Sequence, residues 1–350
     1  MAGRGRPSRA SVYERLSIAV AELDERLGGL PSPKEAQSIW TDIWYEEAHH
    51  STALEGNTLV LRQVQLLLDQ GLAVGAKPLR EYNEVRGYAD AAHWVYEQAL
   101  EPGDWHDGQL ITMTEVRQAH SLAMTPVWDV AAHPDATDRE GPGNFREHDI
   151  RPFAKGMTPP TWPLVPSQMQ QWVDDVCGTA VLARQGDVGR LLPENLARMH
   201  NAFERVHPFI DGNGRAGRLA LNLILVRLGY PPVIIFKRQR EAYLSAMQRA
   251  DTGDYGALGE LIARAIYDNL NRFIVPNVAG PARMVPLAAL ADRDLGLIAL
   301  RRAAQRGRLD AVQGPDGIWR SSRKAVEKYK NGRHQRQSLE GRASELRQRS

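Results

Sequence analysis

The sequence predicts a mainly α-helical fold: a helical bundle interrupted by one short β-hairpin and followed by a small C-terminal module. Three observations carry this expectation. Apolar residues recur at helical spacing through most of residues 12 to 275. One stretch, Pro142 to Pro163, breaks that rhythm with Gly, Pro and Thr. Charge then reverses along the chain: residues 281 to 350 hold 16 Lys and Arg against 7 Asp and Glu, while residues 1 to 280 hold 28 against 35.

The elements follow in order. Residues 1 to 11 are small, basic and Gly/Pro-bearing, and predict a disordered tail. Tyr13 to Leu27 spaces Leu16, Ile18, Ala19, Val20, Leu23 and Leu27 as one helical face and stops at Gly28-Gly29. Ala36 to Ala53, Leu59 to Gln70, Pro78 to Ala99 and Gly108 to Ala123 read likewise, so residues 12 to 110 form an N-terminal helical region. A core of residues 111 to 275 adds helices over Pro166 to Ala183, Pro193 to Val206, Gly217 to Leu228, Glu241 to Ala250 and Tyr255 to Phe273. Inside the irregular stretch, His148 to Phe153 predicts a strand and Met157 to Trp162 its partner. A linker spans residues 276 to 284, the module residues 285 to 330, and a basic disordered tail residues 331 to 350.

Composition excludes several classes. With 350 residues, 43% hydrophobic and 25% charged, the chain can bury a sizeable core. One cysteine, Cys177, excludes an internal disulfide and fits a reducing, cytoplasmic setting. No transmembrane span or signal peptide is expected, because the apolar runs are short and Leu219 to Leu228 is broken by Asn222 and Arg227.

The string His207 to Arg218, HPFIDGNGRAGR, concentrates the chemistry. Gly212 and Gly214 leave backbone N–H groups free to cradle a phosphate, and the apolar run behind them puts that turn at a helix N-terminus. Arg215 and Arg218, three apart, share one helix face and can both fork onto phosphate oxygens. Asp211 is a hard oxygen ligand suited to Mg²⁺ that bridges phosphates. His207, just before the loop, can take a proton near neutral pH.

That string resembles the signature of the Fic family, HxFx[DE]GNGRxxR, with His207, Phe209, Asp211, Gly212, Asn213, Gly214, Arg215 and Arg218 filling every specified position. The likeness extends over roughly residues 36 to 275. It implies a Fic-type helical bundle and transfer of AMP from ATP to a Ser, Thr or Tyr hydroxyl of a target protein. His207 would be the general base, Gly212 to Gly214 would hold the α-phosphate, and Asp211 would bind Mg²⁺. Arg215 would serve the β-phosphate and Arg218 the γ-phosphate, with Phe209 anchoring the loop. PGNFREHDI resembles the entry to the family's flap, so His148, Asp149, Ile150, Arg151, Pro152 and Phe153 would dock a target by strand addition. REAYLSAMQRADTGD, from Arg240 to Asp254, resembles the segment lining the adenine pocket, with Tyr243 the stacking candidate.

Ser51 to Asn57 resembles the family's inhibitory motif, [ST]xxxE[GN], on a helix over about residues 44 to 57. Ser51 and Glu55, four apart, share a helix face. The resemblance implies that Glu55 pairs with Arg218 and blocks the γ-phosphate position, in the class with its inhibitory helix on the N-terminal side. Auto-AMPylation and a homodimer are further family expectations. Val285 to Tyr329 resembles winged helix-turn-helix modules of the excisionase or MerR type. Arg301, Arg302 and Arg306 would face outward toward DNA, Leu300 and Ala304 inward, and Trp319 into the core. The alternatives are a DNA-binding regulator with an inactive or nucleotide-sensing core, AMP removal through Glu55, and another nucleotide in place of ATP.

Overall fold

A computed structural model describes residues 7–32, 36–99, 109–152, 157–184, 188–278, 284–314 and 316–332. The chain divides into two compact units, Met1–Asn269 and Leu270–Ser350.

The first unit is helical among its described residues: α1 (Arg9–Leu27), α2 (Gln37–Leu54), α3 (Leu61–Gln70), α4 (Leu79–Gln98), α5 (Met113–Trp128), α6 (Val165–Arg184), α7 (Val188–Val206), α8 (Asn213–Arg227), α9 (Arg240–Ala250) and α10 (Gly256–Asn269). Local chemistry sets several ends. Ser8 caps α1 by accepting from the Ser11 N–H at 3.2 Å, and Gly28 closes it in the left-handed region at φ 85°. Thr112 and Glu115 form a capping box on α5. Glu115 then accepts from Arg227 at 2.6 Å, tying the start of α5 to the end of α8.

Helix α8 is the axle, with every residue from Arg215 to Val226 buried. Helices α2, α4, α5 and α7 pack against it. This helix, buried all round, starts four residues earlier than its periodicity predicts, and Gly214 and Gly217 inside it allow close approach of neighbours. A Cβ at Gly217 would lie 2.4 Å from Glu204 Oε1 and 3.0 Å from Phe203. Helix α2 is held on this axle by a buried carboxylate. Glu47 accepts from Tyr88 (2.7 Å), from Tyr96 and from Asn222 (2.7 Å). Burial pushes the Glu47 carboxyl upward in pKa, against these three donors and the nearby Arg218 charge.

The expected flap hairpin is not formed among the described residues. His148, Asp149, Ile150, Arg151 and Pro152 have no strand pairing, and Phe153 lies outside the described residues. Pro152, Pro159 and Pro160 have no N–H to give to a ladder. Arg146 claims the carbonyls instead, donating to His148 O (3.0 Å) and Pro160 O (2.6 Å), while the Trp162 N–H goes to Asp149 Oδ1 (2.8 Å). Side chains thus bridge the two arms where a strand ladder was expected, and the segment ends in a 3₁₀ turn, Trp162–Leu164.

The second unit opens with a π turn, Leu270–Ile274, and one helical turn, Val275–Val278. Its sheet has the order β1-β3-β2, all antiparallel, from Val285–Pro286 (β1), Ala311–Gln313 (β2) and Trp319–Ser321 (β3). A 3₁₀ turn (Leu287–Leu290) and α11 (Leu297–Gln305) precede the β2–β3 hairpin, and α12 (323–332) follows it. Leu300 and Ala304 are buried and Arg301, Arg302 and Arg306 exposed. Trp319 is half-buried, short of the core position expected of it. Asp316 pins the hairpin by pairing with Arg320 at 2.8 Å and accepting the Ile318 N–H at 3.0 Å. Pro315, the linker residues 279–283 and the expected tails at 1–6 and 333–350 lie outside the described residues.

Candidate active site

The loop from His207 to Gly212 joins α7 to α8, and its shape is imposed by three buried groups. His207 takes φ 48°, a left-handed conformation unusual for a side-chain-bearing residue. Arg146, almost fully buried, holds that turn. It donates from Nε to His207 O (2.9 Å) and from Nη2 to Val206 O (3.4 Å), while its N–H goes to Pro208 O (2.9 Å). Asn213 closes the loop from inside, accepting the Phe209 N–H (2.9 Å) and donating to Phe209 O (2.8 Å). Its side chain is thereby committed to the loop, leaving only its main chain for a ligand. Phe209 is fully buried and stacks on His120 with centroids 3.6 Å apart and planes 4° from parallel.

His120 is a clamp that sequence reasoning missed. Its Nδ1 accepts the Gly143 N–H (2.8 Å), which fixes the proton on Nε2 and lets that atom donate to Asp211 O (2.9 Å). Burial, foremost, lowers the His120 pKa to about 4, so the ring is neutral as this pattern requires.

Gly212 at φ 79° is the N-cap of α8. The first-turn N–H groups behind it have no acceptor within the helix, which makes an anion site of the helix end. Arg215 is buried, donates from Nη2 to Asp211 Oδ1 (3.1 Å), and leaves Nε and Nη1 buried without a partner. A buried guanidinium with two such donors can serve anionic oxygens. Burial acts to raise the Asp211 pKa, but Arg215, the Gly212 N–H and Arg80 outweigh it and hold the carboxyl ionised, below the usual carboxylate range. Among the described residues no group of three or more His, Cys, Asp and Glu could hold a metal by itself. The ionised Asp211 carboxylate could supply one oxygen ligand to a cation.

His207 donates from Nδ1 to Glu204 O at 3.3 Å, which leaves Nε2 as its basic nitrogen. Burial is the main cause that lowers its pKa to about 4, so it is neutral and able to accept a proton across the physiological range. It lines a cavity of about 380 Å³ together with Leu54, Glu55, Glu204, Gly214, Arg218, Arg240, Tyr243, Leu244, Met247 and Asp251. Tyr243 is buried in that wall, its hydroxyl 2.7 Å from His200 Nε2.

Arg218 faces the same cavity and is fully engaged by the end of α2. It donates from Nε to Ser51 Oγ (2.7 Å) and from Nη2 to both Ser51 O (3.0 Å) and Glu55 Oε1 (2.8 Å). Glu55 sits just past the last residue of α2, against the Gly214 α-carbon: a Cβ there would be 2.3 Å from Glu55 Oε1. Burial opposes its ionisation, but the Arg218 charge and hydrogen bond prevail and lower its pKa. A carboxylate thus sits over the N-terminus of α8, on the arginine that the sequence assigns to a phosphate.

The structure brings His207, Asp211, Gly212, Gly214, Arg215, Arg218, Ser51, Glu55 and Tyr243 into one region. Arg301, Arg302 and Arg306 belong to the second unit. Arg80, His120, Arg146 and Glu204 were not singled out in sequence. Arg146 alone carried a signal, standing inside the PGNFREHDI segment.

Residues 110–225 match the family model described as the Fic/DOC family. A "Protein adenylyltransferase Fic" of Drosophila melanogaster is 28% identical over 335 residues, covering 91% of this chain and 60% of that protein. This chain spans about three-fifths of the length of such curated relatives. Among solved structures, "Fic-1 (aa134 - 508) from C. elegans" is similar at a TM-score of 0.60 and 24% identity, covering 76% of this chain and 72% of that one. A Fic family protein from Desulfovibrio desulfuricans G20 is similar at 0.55 and 22%, covering 92% and 98%. Residues 110–225 thus match the Fic/DOC family model, and the chain is similar in fold to solved Fic proteins.

Proposed function

We propose that this chain is a protein adenylyltransferase that moves AMP from ATP to a Ser, Thr or Tyr hydroxyl of a target protein, and that Glu55 holds it inactive. One observation carries the reading: a neutral, oriented imidazole stands beside an anion site with idle donors. His207 Nε2 takes the proton of the incoming hydroxyl, whose oxygen attacks the α-phosphorus as pyrophosphate leaves. The N–H groups at the start of α8 and the idle Arg215 donors bind phosphate oxygens and their developing charge. Asp211 would hold Mg²⁺, which when bound neutralises charge on the phosphates. Tyr243, Leu244 and Met247 offer the wall for the base. Arg218 takes the γ-phosphate once Glu55 leaves it.

The flap's described residues, His148 to Pro152, would present main-chain groups to a target, and the chain itself is the first candidate substrate. A homodimer that braces α2 belongs to the same reading. The exposed arginines of α11 would contact DNA phosphates, which a salt-dependent mobility shift with duplex DNA tests.

The central experiment offers ATP labelled either at the α- or at the γ-phosphate. Incorporation of the α-label alone, lost in His207→Ala while nucleotide binding persists, supports AMP transfer. Incorporation of the γ-label would replace it with phosphoryl transfer, and label retained by His207→Ala would remove the base assignment.

A further inference from the structure

Both carboxylate oxygens of Asp211 already accept from a guanidinium. Its Oδ1 accepts from the Gly212 N–H (2.6 Å) and from Arg215 Nη2 (3.1 Å), and its Oδ2 accepts from Arg80 Nη2 (3.0 Å). A divalent cation on this carboxylate competes with the two guanidinium groups for its oxygens. The two groups are not equivalent. The Arg215 side chain is 4% exposed and leaves α8 itself, four residues on, so it has nowhere to go. The Arg80 side chain is 41% exposed, comes from the first turn of α4, and has a second partner, donating from Nε to Glu84 Oε1 at 3.2 Å.

The base of Arg80 is firmly built. Glu84 Oε2 accepts from Asn57 Nδ2 (3.0 Å), which also donates to Glu81 O (2.8 Å). Glu81 Oε2 in turn accepts from both the N–H and the hydroxyl of Thr58 at 2.7 Å. The residues directly after Glu55 are thus fastened to the turn of α4 that aims Arg80 at Asp211. Shared between Glu84 beneath it and Asp211, 131 positions away, the Arg80 guanidinium offsets part of a charge that would otherwise repel a triphosphate.

We propose that Arg80 is a built-in stand-in for the divalent cation on Asp211, exchanged for metal when a metal–nucleotide complex binds. This rests on the reading of Asp211 as the metal-side ligand of an ATP site. Two consequences have the same sign. Without Arg80, a metal-free triphosphate meets an Asp211 compensated by Arg215 alone and binds more weakly. A metal-bound triphosphate no longer has to break the Arg80 pair and binds more tightly. The metal dependence of nucleotide affinity therefore rises when Arg80 is removed.

The test is calorimetry on the full chain with α,β-methylene-ATP, in a Glu55→Gly background, with Mg²⁺ and with chelator. The readout is the ratio of the two dissociation constants. Arg80→Ala and Arg80→Gln should raise that ratio about fivefold, the upper end for a partly exposed ion pair. Arg80→Lys, which keeps the charge, should stay near the parent. An unchanged ratio in both Arg80→Ala and Arg80→Gln, with normal melting of either, overturns the exchange alone. Absence of nucleotide binding in the parent overturns the ATP reading and the exchange with it.

Discussion

Replacing Glu55 by glycine isolates the contact on which inhibition depends. The change removes one charge-assisted hydrogen bond of 2.8 Å to Arg218 and leaves that guanidinium its two Ser51 bonds. Glu55 has φ −87°, which glycine adopts freely, so α2 should persist. A hydrogen bond to a charged group contributes about 1.5–3 kcal/mol. Here the arginine side is 7% exposed but the glutamate side 43%, and solvent screening places the contact near the lower end, about 1.5–2 kcal/mol. If Glu55 and the γ-phosphate exclude one another on Arg218, that free energy is the population ratio of locked to open enzyme. It corresponds to about 10- to 30-fold, so initial rates of AMP incorporation should rise by that factor. The Glu55 carboxyl stays ionised well above its lowered pKa, so the ratio should be flat from pH 6 to 8. Intact-mass spectrometry of the chain incubated with Mg²⁺ and ATP measures it. Equal incorporation in wild type and Glu55→Gly would refute the exclusion argument, as would equal activation in an Arg218→Ala background.

Other outcomes follow from the same geometry. His207→Ala should lower transfer by about 10²- to 10⁴-fold with nucleotide affinity preserved, read by single-turnover kinetics beside calorimetry. Buried neutral His120 and His207, both with pKa near 4 against 6.5 for an exposed imidazole, bind fewer protons folded than unfolded. Their stabilisation is complete above pH 6.5 and is lost as pH falls toward 4; a melting temperature independent of pH over that window would contradict it. Glu204 has the opposite sign: burial, foremost, raises its pKa to about 8, so folding loses stability as pH rises from 4.5 to 8. Glu204→Gln should abolish that slope, making the variant's melting-temperature advantage grow from pH 5 to pH 8.

What the sequence made legible and what it hid divide along a physical line. The signature loop was readable because its parts are contiguous and each residue type has one evident use. Helix existence was readable from period, but the start of α8 was not, because Gly214 and Gly217 lower helix propensity while their packing restores it. The hairpin at His148–Trp162 was misjudged because local strand propensity ignores a buried arginine that takes the carbonyls. Arg80, His120 and Glu204 were invisible for a related reason. Each acts through partners brought near by helix packing, such as Arg80 with Asp211 across 131 positions, and no local spacing encodes that contact.

Arg218 explains why this site should switch sharply between two states. It is buried, and the Glu55 carboxylate raises its pKa further against the effect of burial, so it is always charged. When the Glu55 carboxylate leaves, Arg218 loses the about 1.5–2 kcal/mol of that contact. The Ser51 bonds are neutral and do not replace an anion. An intermediate in which Glu55 has left and no phosphate has arrived is therefore disfavoured, and the two exchanges on Arg218 are coupled. The same logic holds at the other end of the triphosphate, where Asp211 does not stand bare because Arg80 covers it. At both ends the chain supplies its own ion in place of a ligand's: a carboxylate where a phosphate would bind, and a guanidinium where a metal would. At Arg218 and at Asp211 a ligand must therefore exchange ions with the chain, while Arg215 Nε and Nη1 can take phosphate oxygens directly.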